Sequence, residues 1–316
     1  IDGMYSIAFW NKEEKKIILA RDPLGIKPLF YSINKNEMIF SSEAKPLAKA
    51  LNINLSEELI NEFMLYGYLP GEKTFFNSIY ALPPGHILEF KKDFYTLQKI
   101  NNKYLKESNN ELKEVLKSSI NIQAINEVKT GIFLSGGQDS TCIASLVSKF
   151  HDNISAYTAS FIPEDRKFLY LNEDSKRAKQ TAKFHNLRIK EVELKSLDVP
   201  DLMVDLFSKI DQPIIDPALI VSYRLSLEAK KDNTKVILSG IGGDELFYGY
   251  SRYHSKFRKL FSIFTFSRFI AKYILKINFL PINILEKIAR IASLQLDMSI
   301  STTGANNFLQ ADKPSY

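Results

Sequence analysis

The sequence predicts an α/β chain in two parts, a strand-rich first third followed by a doubly wound parallel sheet. From Ile1 to about Tyr95, short runs such as "MYSIAFW", "KIILAR", "PLFYS", "EMIFSS" and "HILEF" alternate between Gly and Pro punctuation, which is the pattern of strands joined by turns. From about Asn109 the rhythm changes to helix, strand, helix, strand, and strands separated by helical stretches of roughly 10–20 residues pair in parallel. Between the two styles lies "DFYTLQKINNKYLKESNN", Asp93 to Asn110, polar and rich in asparagine. It reads as a linker. The parts are therefore placed at residues 1–95, 96–110 for the linker, and 111–316.

Taken in order, "RDPLGIKP" (Arg21–Pro28) suits a tight turn, in which Pro23 restricts and Gly25 frees the backbone. Arg21 and Asp22 are expected to pair across it. Helices are expected at Glu43–Leu51 and Ser56–Tyr66, the second with Ser56 as N-cap and Glu57 and Glu58 in its first turn. The second part reads as helix Asn109–Ile125, strand Thr130–Leu134, a helix from Ser140, strand Ile154–Phe161, helix Glu173–His185 and strand Ile189–Leu194. Helices near Asp201–Ile210 and Pro217–Lys230 and strand Lys235–Leu238 follow. The most apolar stretch, Leu260–Leu280, carries Arg268, Lys272 and Lys276 at four-residue spacing on one helical face. A membrane span needs about 20 largely uncharged residues, so this stretch reads as an amphipathic helix on a core, with a membrane-surface helix as the alternative.

With 316 residues, 45% hydrophobic and 25% charged, the chain falls in the soluble globular class. Its net charge of +6 is spread over alternating lysines and acids, so a nucleic-acid surface is allowed but not demanded and a small polyanion such as a nucleotide fits equally well; no nucleic-acid partner is expected. A single cysteine, Cys142, cannot build a disulfide framework, and a cytoplasmic location is expected. The start, "IDGMYSIAFW", is neither a signal nor a transit peptide. It opens in mid-strand without an initiator Met and reads as part of a longer protein.

The chemistry concentrates in two glycine bends. "KTGIFLSGGQDSTCIASLVSKF" (Lys129–Phe150) runs a strand into Ser135-Gly136-Gly137 and then a helix. Such a bend at a strand's carboxyl end can aim successive backbone N–H groups and a helix dipole at phosphate. No lysine follows in the Walker A pattern, and Asp139 inside the loop would repel phosphate unless a divalent cation lay between them. On this feature alone, a structural turn is an equal alternative. The second bend, "KVILSGIGGDELFYGY" (Lys235–Tyr250), repeats the arrangement with Ser239-Gly240 and then Asp244-Glu245. Asp139 and Asp244 facing one crevice would suit Mg²⁺, which prefers few protein oxygens plus phosphate.

"SGGQDS" (Ser135–Ser140) resembles the pyrophosphate loop of the ATP-pyrophosphatase superfamily, and "SGIGGDELFYGY" (Ser239–Tyr250) is similar to the second nucleotide loop of the asparagine synthetase family. "DGMYSIAFW", "ARDPLGIKPLFYS" and "SSEAKPL" resemble the later part of that family's glutaminase domain. The resemblance spans roughly Asp2 to Tyr253. It implies a partial Ntn-type glutaminase (α+β sandwich) before an ATP-pyrophosphatase domain. It also implies ATP-dependent amidation of a carboxylate, aspartate first, through an acyl-adenylate, with ammonia from glutamine. Under it Phe133, Ser135, Gly136, Gly137, Asp139, Ser140, Ala159, Ser239 and Gly240 would hold ATP and pyrophosphate, and Asp139 and Asp244 would hold Mg²⁺. The implied small-molecule partners are ATP, aspartate or another carboxylate, and glutamine or ammonia. A homodimer and no membrane span complete the expectation.

Three departures matter. The family's glutaminase nucleophile is an N-terminal cysteine, which this chain lacks, and Cys142 reads as a packing residue. Where the best-known members place a glutamate in the second loop, this chain has Ile241. Ile241 cannot move a proton, so Glu245 is the candidate acid, or the acceptor differs, as with surface-polysaccharide sugar acids. "DQPIIDPALIVSYRLS" carries Pro217 in place of an arginine, and the family's late lysine is not found. A non-catalytic nucleotide-binding relative stays open. Asp211, Pro213 and Asp216 could shape an acceptor pocket or form a solvated connection. Tyr248, Tyr250 and Tyr253 read as helix-face packing, and His86, His151, His185 and His254 as surface residues without metal spacing.

Overall fold

The structure is a computed structural model and describes residues 1, 3–92, 94–100, 111–124, 127–151, 154–162, 172–216, 218–247 and 249. The readings of Leu260–Leu280, Tyr248, Tyr250, Tyr253 and His254 fall outside them. Among the described residues two compact units emerge, one within 1–104 together with Asp211–Ile215, the other within 105–210 and from Asp216 on.

The first unit is antiparallel. Strands β1 (Ser6–Asn11), β2 (Lys16–Arg21), β6 (His86–Lys91) and β7 (Phe94–Lys99) form one sheet in the order β1-β2-β6-β7. The second sheet, in the order β4-β3-β5, is built from β3 (Phe30–Asn34), β4 (Glu37–Ser41) and β5 (Tyr80–Ala81). Alternation puts Leu19, Leu88 and Phe90 from one sheet against Tyr31 from the other, with Leu29 and Leu82 filling the interior. Strand β7 corrects the linker reading of this stretch. Leu97 packs onto that core and Phe90 pairs with Tyr95, so cross-strand pairing overrides the polar composition.

Helix α2 (Glu57–Tyr66) starts as its sequence asks: Ser56 Oγ accepts from the Leu59 N–H, Glu57 and Glu58 occupy the first turn, and Gly67 closes the end at φ 83°. Helix α1 (Ala44–Leu51) has no such local cap, because the Glu43 side chain makes no capping hydrogen bond. Asp211 supplies it instead, accepting from the backbone N–H groups of Ala44 at 2.5 Å and Lys45 at 2.8 Å. Asp211 is therefore a capping residue rather than a solvated connector.

In the Arg21–Pro28 turn the two charged residues act separately rather than as a pair. Arg21 donates to the carbonyls of Lys27, Leu82 and Gly25, while Asp22 accepts from the N–H groups of Leu24, Ile26 and Lys27. Asp22 is 1% exposed. Burial pushes its carboxyl up, but the converging N–H donors outweigh burial and hold it below the ordinary aspartate value.

The second unit is a four-stranded parallel sheet in the order β10-β9-β8-β11, built from β8 (Thr130–Phe133), β9 (Ser155–Phe161), β10 (Arg188–Leu194) and β11 (Val236–Leu238). Helices cover both faces. On one, Ile132, Leu134 and Ala156 meet Ala124 of α3 (Leu112–Ala124), Ala144 and Val147 of α4 (Gln138–Val147), and Ala178 and Ala182 of α5 (Asn172–Phe184). On the other, Tyr157 and Val192 meet Leu225 and Ala229 of α7 (Ala218–Lys231), which follows α6 (Val199–Lys209). Burial on both faces explains why β8 reads as a continuous apolar run rather than an alternating one. Each fully buried aliphatic chain here contributes about 1.5–3 kcal/mol. Ala178 and Ala182, four residues apart and both 0% exposed, let α5 lie close against the sheet.

Candidate functional site

The first strand of the parallel sheet in sequence, β8, lies between β9 on one side and β11 on the other. The strand order therefore reverses between β8 and β11, and a crevice opens at the carboxyl ends of such a pair. Both glycine bends leave the sheet there: Leu134–Gly137 leads from β8 into α4, and Ser239–Gly242 leads from β11 into α8 (Gly243–Phe247).

The first loop is set by its own hydroxyls. Ser135 N–H donates to Ser140 Oγ at 3.3 Å, the Ser135 and Ser140 Oγ atoms lie 3.0 Å apart, Gly137 N–H donates to Ser135 Oγ at 3.4 Å, and Ser140 Oγ donates to Gly137 O at 3.2 Å. Ser140 is buried while Ser135, Gly137 and Gln138 face solvent. Gly136 has φ +78°, and a Cβ there would stand 2.5 Å from Asp174 O and 2.9 Å from Ala178 N of α5. No side chain fits. Backbone conformation and the close approach of α5 both require glycine.

The second loop is pressed against the first. A Cβ at Gly240 would come 2.9 Å from Asp139 Cβ and 2.9 Å from Ser140 N, and one at Gly243 would overlap the Asp139 carboxylate. Asp139 and the residue before Asp244 are thus in contact, although more than a hundred positions separate them in the sequence. Asp139 and Asp244 are hard carboxylates of the kind Mg²⁺ takes a few at a time, the first beside Gly243 and the second with its carboxylate beside Gly249. Among the described residues no group of three or more His, Cys, Asp or Glu side chains could hold a metal ion alone. The donor chemistry of Asp139 and Asp244, taken alone, is compatible with a cation shared with phosphate oxygens.

The other predicted residues lie around the same sheet. Phe133 and Ala159 are partly buried on the face covered by α7, packed against Tyr157, Val192, Leu225 and Ala229. Ser239 and Gly240 follow β11 directly. Glu245 is exposed on α8, and Ile241 is 84% exposed. Cys142 corrects the packing reading: it is exposed on α4, as is Gln138 one turn before it, while Ala144 and Val147 face the core. His151 and His185 are half-buried rather than at the surface, since both sit where a helix ends against the sheet, and His185 Nδ1 lies 3.4 Å from Ser148 Oγ. One site neighbour had no sequence signal at all. Arg177 of α5 packs its Cβ beside Gly136 with its side chain 63% exposed, a cation at the mouth of the loop.

Comparison with known proteins follows the same division. The family model for asparagine synthase matches residues 111–306, and that for a glutamine amidotransferase domain matches residues 1–104. "Asparagine synthetase [glutamine-hydrolyzing] 1" of Bacillus subtilis is 32% identical over 264 residues, covering 79% of this chain and 40% of its own length. "Putative asparagine synthetase [glutamine-hydrolyzing] 1" of Methanocaldococcus jannaschii is 32% identical over 267 residues, covering 82% and 47%. The chain thus spans less than half the length of either relative. The solved NMN synthetase of Francisella tularensis matches 40% of this chain and 54% of its own at 16% identity, with a TM-score of 0.28, too low to argue from. Matched over more than half its length, in the half that carries both glycine loops, the chain belongs to the asparagine synthase family.

Proposed function

We propose that this chain carries the ATP-cleaving centre of a glutamine-dependent amidotransferase that converts a carboxylate, foremost L-aspartate, into its amide. The observation that carries the reading is the contact of Asp139 with Gly243, which joins two phosphate-type loops at the strand-order reversal. The domain division proposed with it is a glutaminase part that includes β7 (Phe94–Lys99) and a synthetase part from residue 111.

The acceptor carboxylate attacks the α-phosphorus of ATP, and the bond to the β-phosphate oxygen breaks. This gives an acyl-adenylate and pyrophosphate. Ammonia then attacks the acyl carbon, AMP leaves with the former ester oxygen, and a proton is lost to give the amide. Backbone N–H groups of Ser135–Gly137, at the N-terminus of α4, and the Ser135 and Ser140 hydroxyls receive the departing pyrophosphate. Asp139 and Asp244 would hold Mg²⁺, which when bound neutralises charge building on the pyrophosphate oxygens. Phe133, Ala159, Ser239 and Gly240 line the adenosine side, and exposed Glu245 is the nearby acid for proton transfer. The ammonia is supplied by glutamine, with a nucleophile other than Cys142, which stands on α4 of the second unit. Cytoplasmic location belongs to the same proposal; among the described residues no helix is long and apolar enough to cross a membrane.

A second reading changes only the acceptor. Ile241 presents an almost fully exposed apolar side chain beside the loop, where it offers aspartate no polar contact. Another carboxylate, such as a surface-polysaccharide sugar acid, fits that feature. Mass-spectrometric detection of the amide formed from ATP, Mg²⁺ and ammonia with aspartate, or with a panel of sugar acids, tests both. Asparagine formation supports the first reading. An amidated sugar acid in its place supports the second, and no amide from any acceptor defeats both.

A further inference from the structure

The same parallel sheet carries a second concave feature at its other edge. Around the amino ends of the strands, Lys129, Arg188, Lys190, Lys231, Asp232 and Asn233 line most of a cavity of about 420 Å³, within the range of small-ligand pockets. Because all four strands are parallel, this edge stands opposite the glycine loops, about 20 Å away along the seven residues of β9.

The wall is built in advance. Tyr157, fully buried in β9, has its hydroxyl 2.8 Å from Thr234 Oγ1 and donates to Asp232 Oδ2 at 3.2 Å. Thr234 N–H donates to Ala229 O at 2.9 Å, and Asn233 sits at φ 57°, so the turn after α7 has one shape. Lys190 is held by Glu228 at 2.8 Å and Asp232 at 3.0 Å, Lys231 reaches Glu228 at 3.1 Å, and Lys129 Nζ donates to Asp232 O at 3.0 Å.

Helix-end lysines commonly serve only to offset a helix dipole, and Lys231 does so for α7. That role does not account for the rest. Four cations line the cavity; Lys190 pairs with both Glu228 and Asp232 and Lys231 with Glu228, which leaves an excess of two positive charges among these groups. Arg188, the first residue of β10, pairs through its backbone with Ser155, while its exposed guanidinium has no hydrogen-bond or ion-pair partner among the described residues. Guanidinium and ammonium groups held on rigid elements around a cavity of this size match the oxygens of adjacent phosphoryl groups, with Arg188 available for a bidentate contact.

We propose that this cavity binds a short oligophosphate, either free or as the phosphate tail of a nucleotide, at a site separate from the glycine loops. The two sites respond oppositely to divalent cation. Without it Asp139 repels phosphate at the loop, whereas the basic cavity needs none. The test is isothermal titration of the purified protein with inorganic tripolyphosphate in EDTA, beside Arg188→Glu and the milder Arg188→Gln, each checked for an unchanged thermal midpoint. The expected result is one tripolyphosphate per chain, weakened about tenfold or more by Arg188→Glu through loss of a charge-assisted contact. Displacement by ATP in the same buffer assigns the nucleotide tail, and failure of ATP to displace assigns free oligophosphate. Absence of binding in EDTA, or binding that both variants leave unchanged, overturns the proposal.

Discussion

Replacing Gly136 by alanine puts the physical account of the first loop at risk in one step. The backbone at this position has φ +78°, a left-handed conformation that costs a non-glycine residue about 1–2 kcal/mol. The added Cβ would also meet Asp174 O at 2.5 Å, Arg177 Cβ at 2.7 Å and Ala178 N at 2.9 Å. Two of those atoms are backbone of α5, which cannot rotate away, so the helix must move. Overpacking of this kind costs about 1–3 kcal/mol. The two effects together come to roughly 2–5 kcal/mol, a large share of a typical domain's stability. Gly137 is the control, because it is next in sequence, has φ −74°, and its nearest neighbour to an added Cβ is Ser135 Oγ at 3.4 Å. Its alanine variant should lose about 1 kcal/mol or less. Native-state hydrogen exchange of the β9 amides reads the second unit directly, whereas the single tryptophan, Trp10, lies in the first. A loss under about 1 kcal/mol for Gly136→Ala, or equal losses for the two variants, would refute the argument from strain and close approach.

Gly243→Ala should behave differently, because the three atoms nearest its Cβ all belong to the Asp139 carboxylate: a rotated aspartate costs about 0.5–1.5 kcal/mol, while Mg²⁺-dependent ATP affinity, followed by equilibrium binding, should fall about tenfold or more. Asp211→Ala removes both acceptors at the start of α1 and should cost about 1–2 kcal/mol, read as a lower urea midpoint by Trp10 fluorescence; no change would mean that the cap contributes nothing. Glu228 is held down to about 2 by Lys190 first, then Lys231 and Arg224. A depressed carboxyl contributes stability above its unfolded value of 4.5, and that contribution is lost as pH falls towards about 2. The thermal midpoint of Glu228→Gln should therefore vary less steeply with pH over that window, and a profile as steep as the unchanged protein's would contradict the assigned ion pairs.

Local signals in the sequence were legible where the local and the tertiary structure agree. Ser56 caps α2 because an acceptor side chain, two acids and a closing glycine all lie within one short segment. The helix–strand alternation of the second half gave the parallel sheet, with boundaries displaced by a residue or two where helix ends fray. Strand β7 was hidden because its support is a partner strand, β6, rather than its own composition. The cap of α1 comes from Asp211, a residue that no window around Glu43 contains. Cys142 looked like core because it follows a loop in an apolar helix, yet the helical phase turns it outward with Gln138. The glycines of the site announced themselves by type and order. Their reason did not: each is small because a distant backbone or carboxylate, α5 for Gly136 and Asp139 for Gly243, occupies the space a side chain would need.

The central claim is that the two joined loops direct attack at the α-phosphorus of ATP. Phosphorus NMR of the products, with ATP, Mg²⁺, ammonia and an acceptor carboxylate, tests it most directly. The account predicts AMP and pyrophosphate in equal amounts, formed only when the acceptor is present and lost in Asp139→Ala. Formation of ADP and inorganic phosphate, or products unchanged in the Asp139 variant, would contradict it.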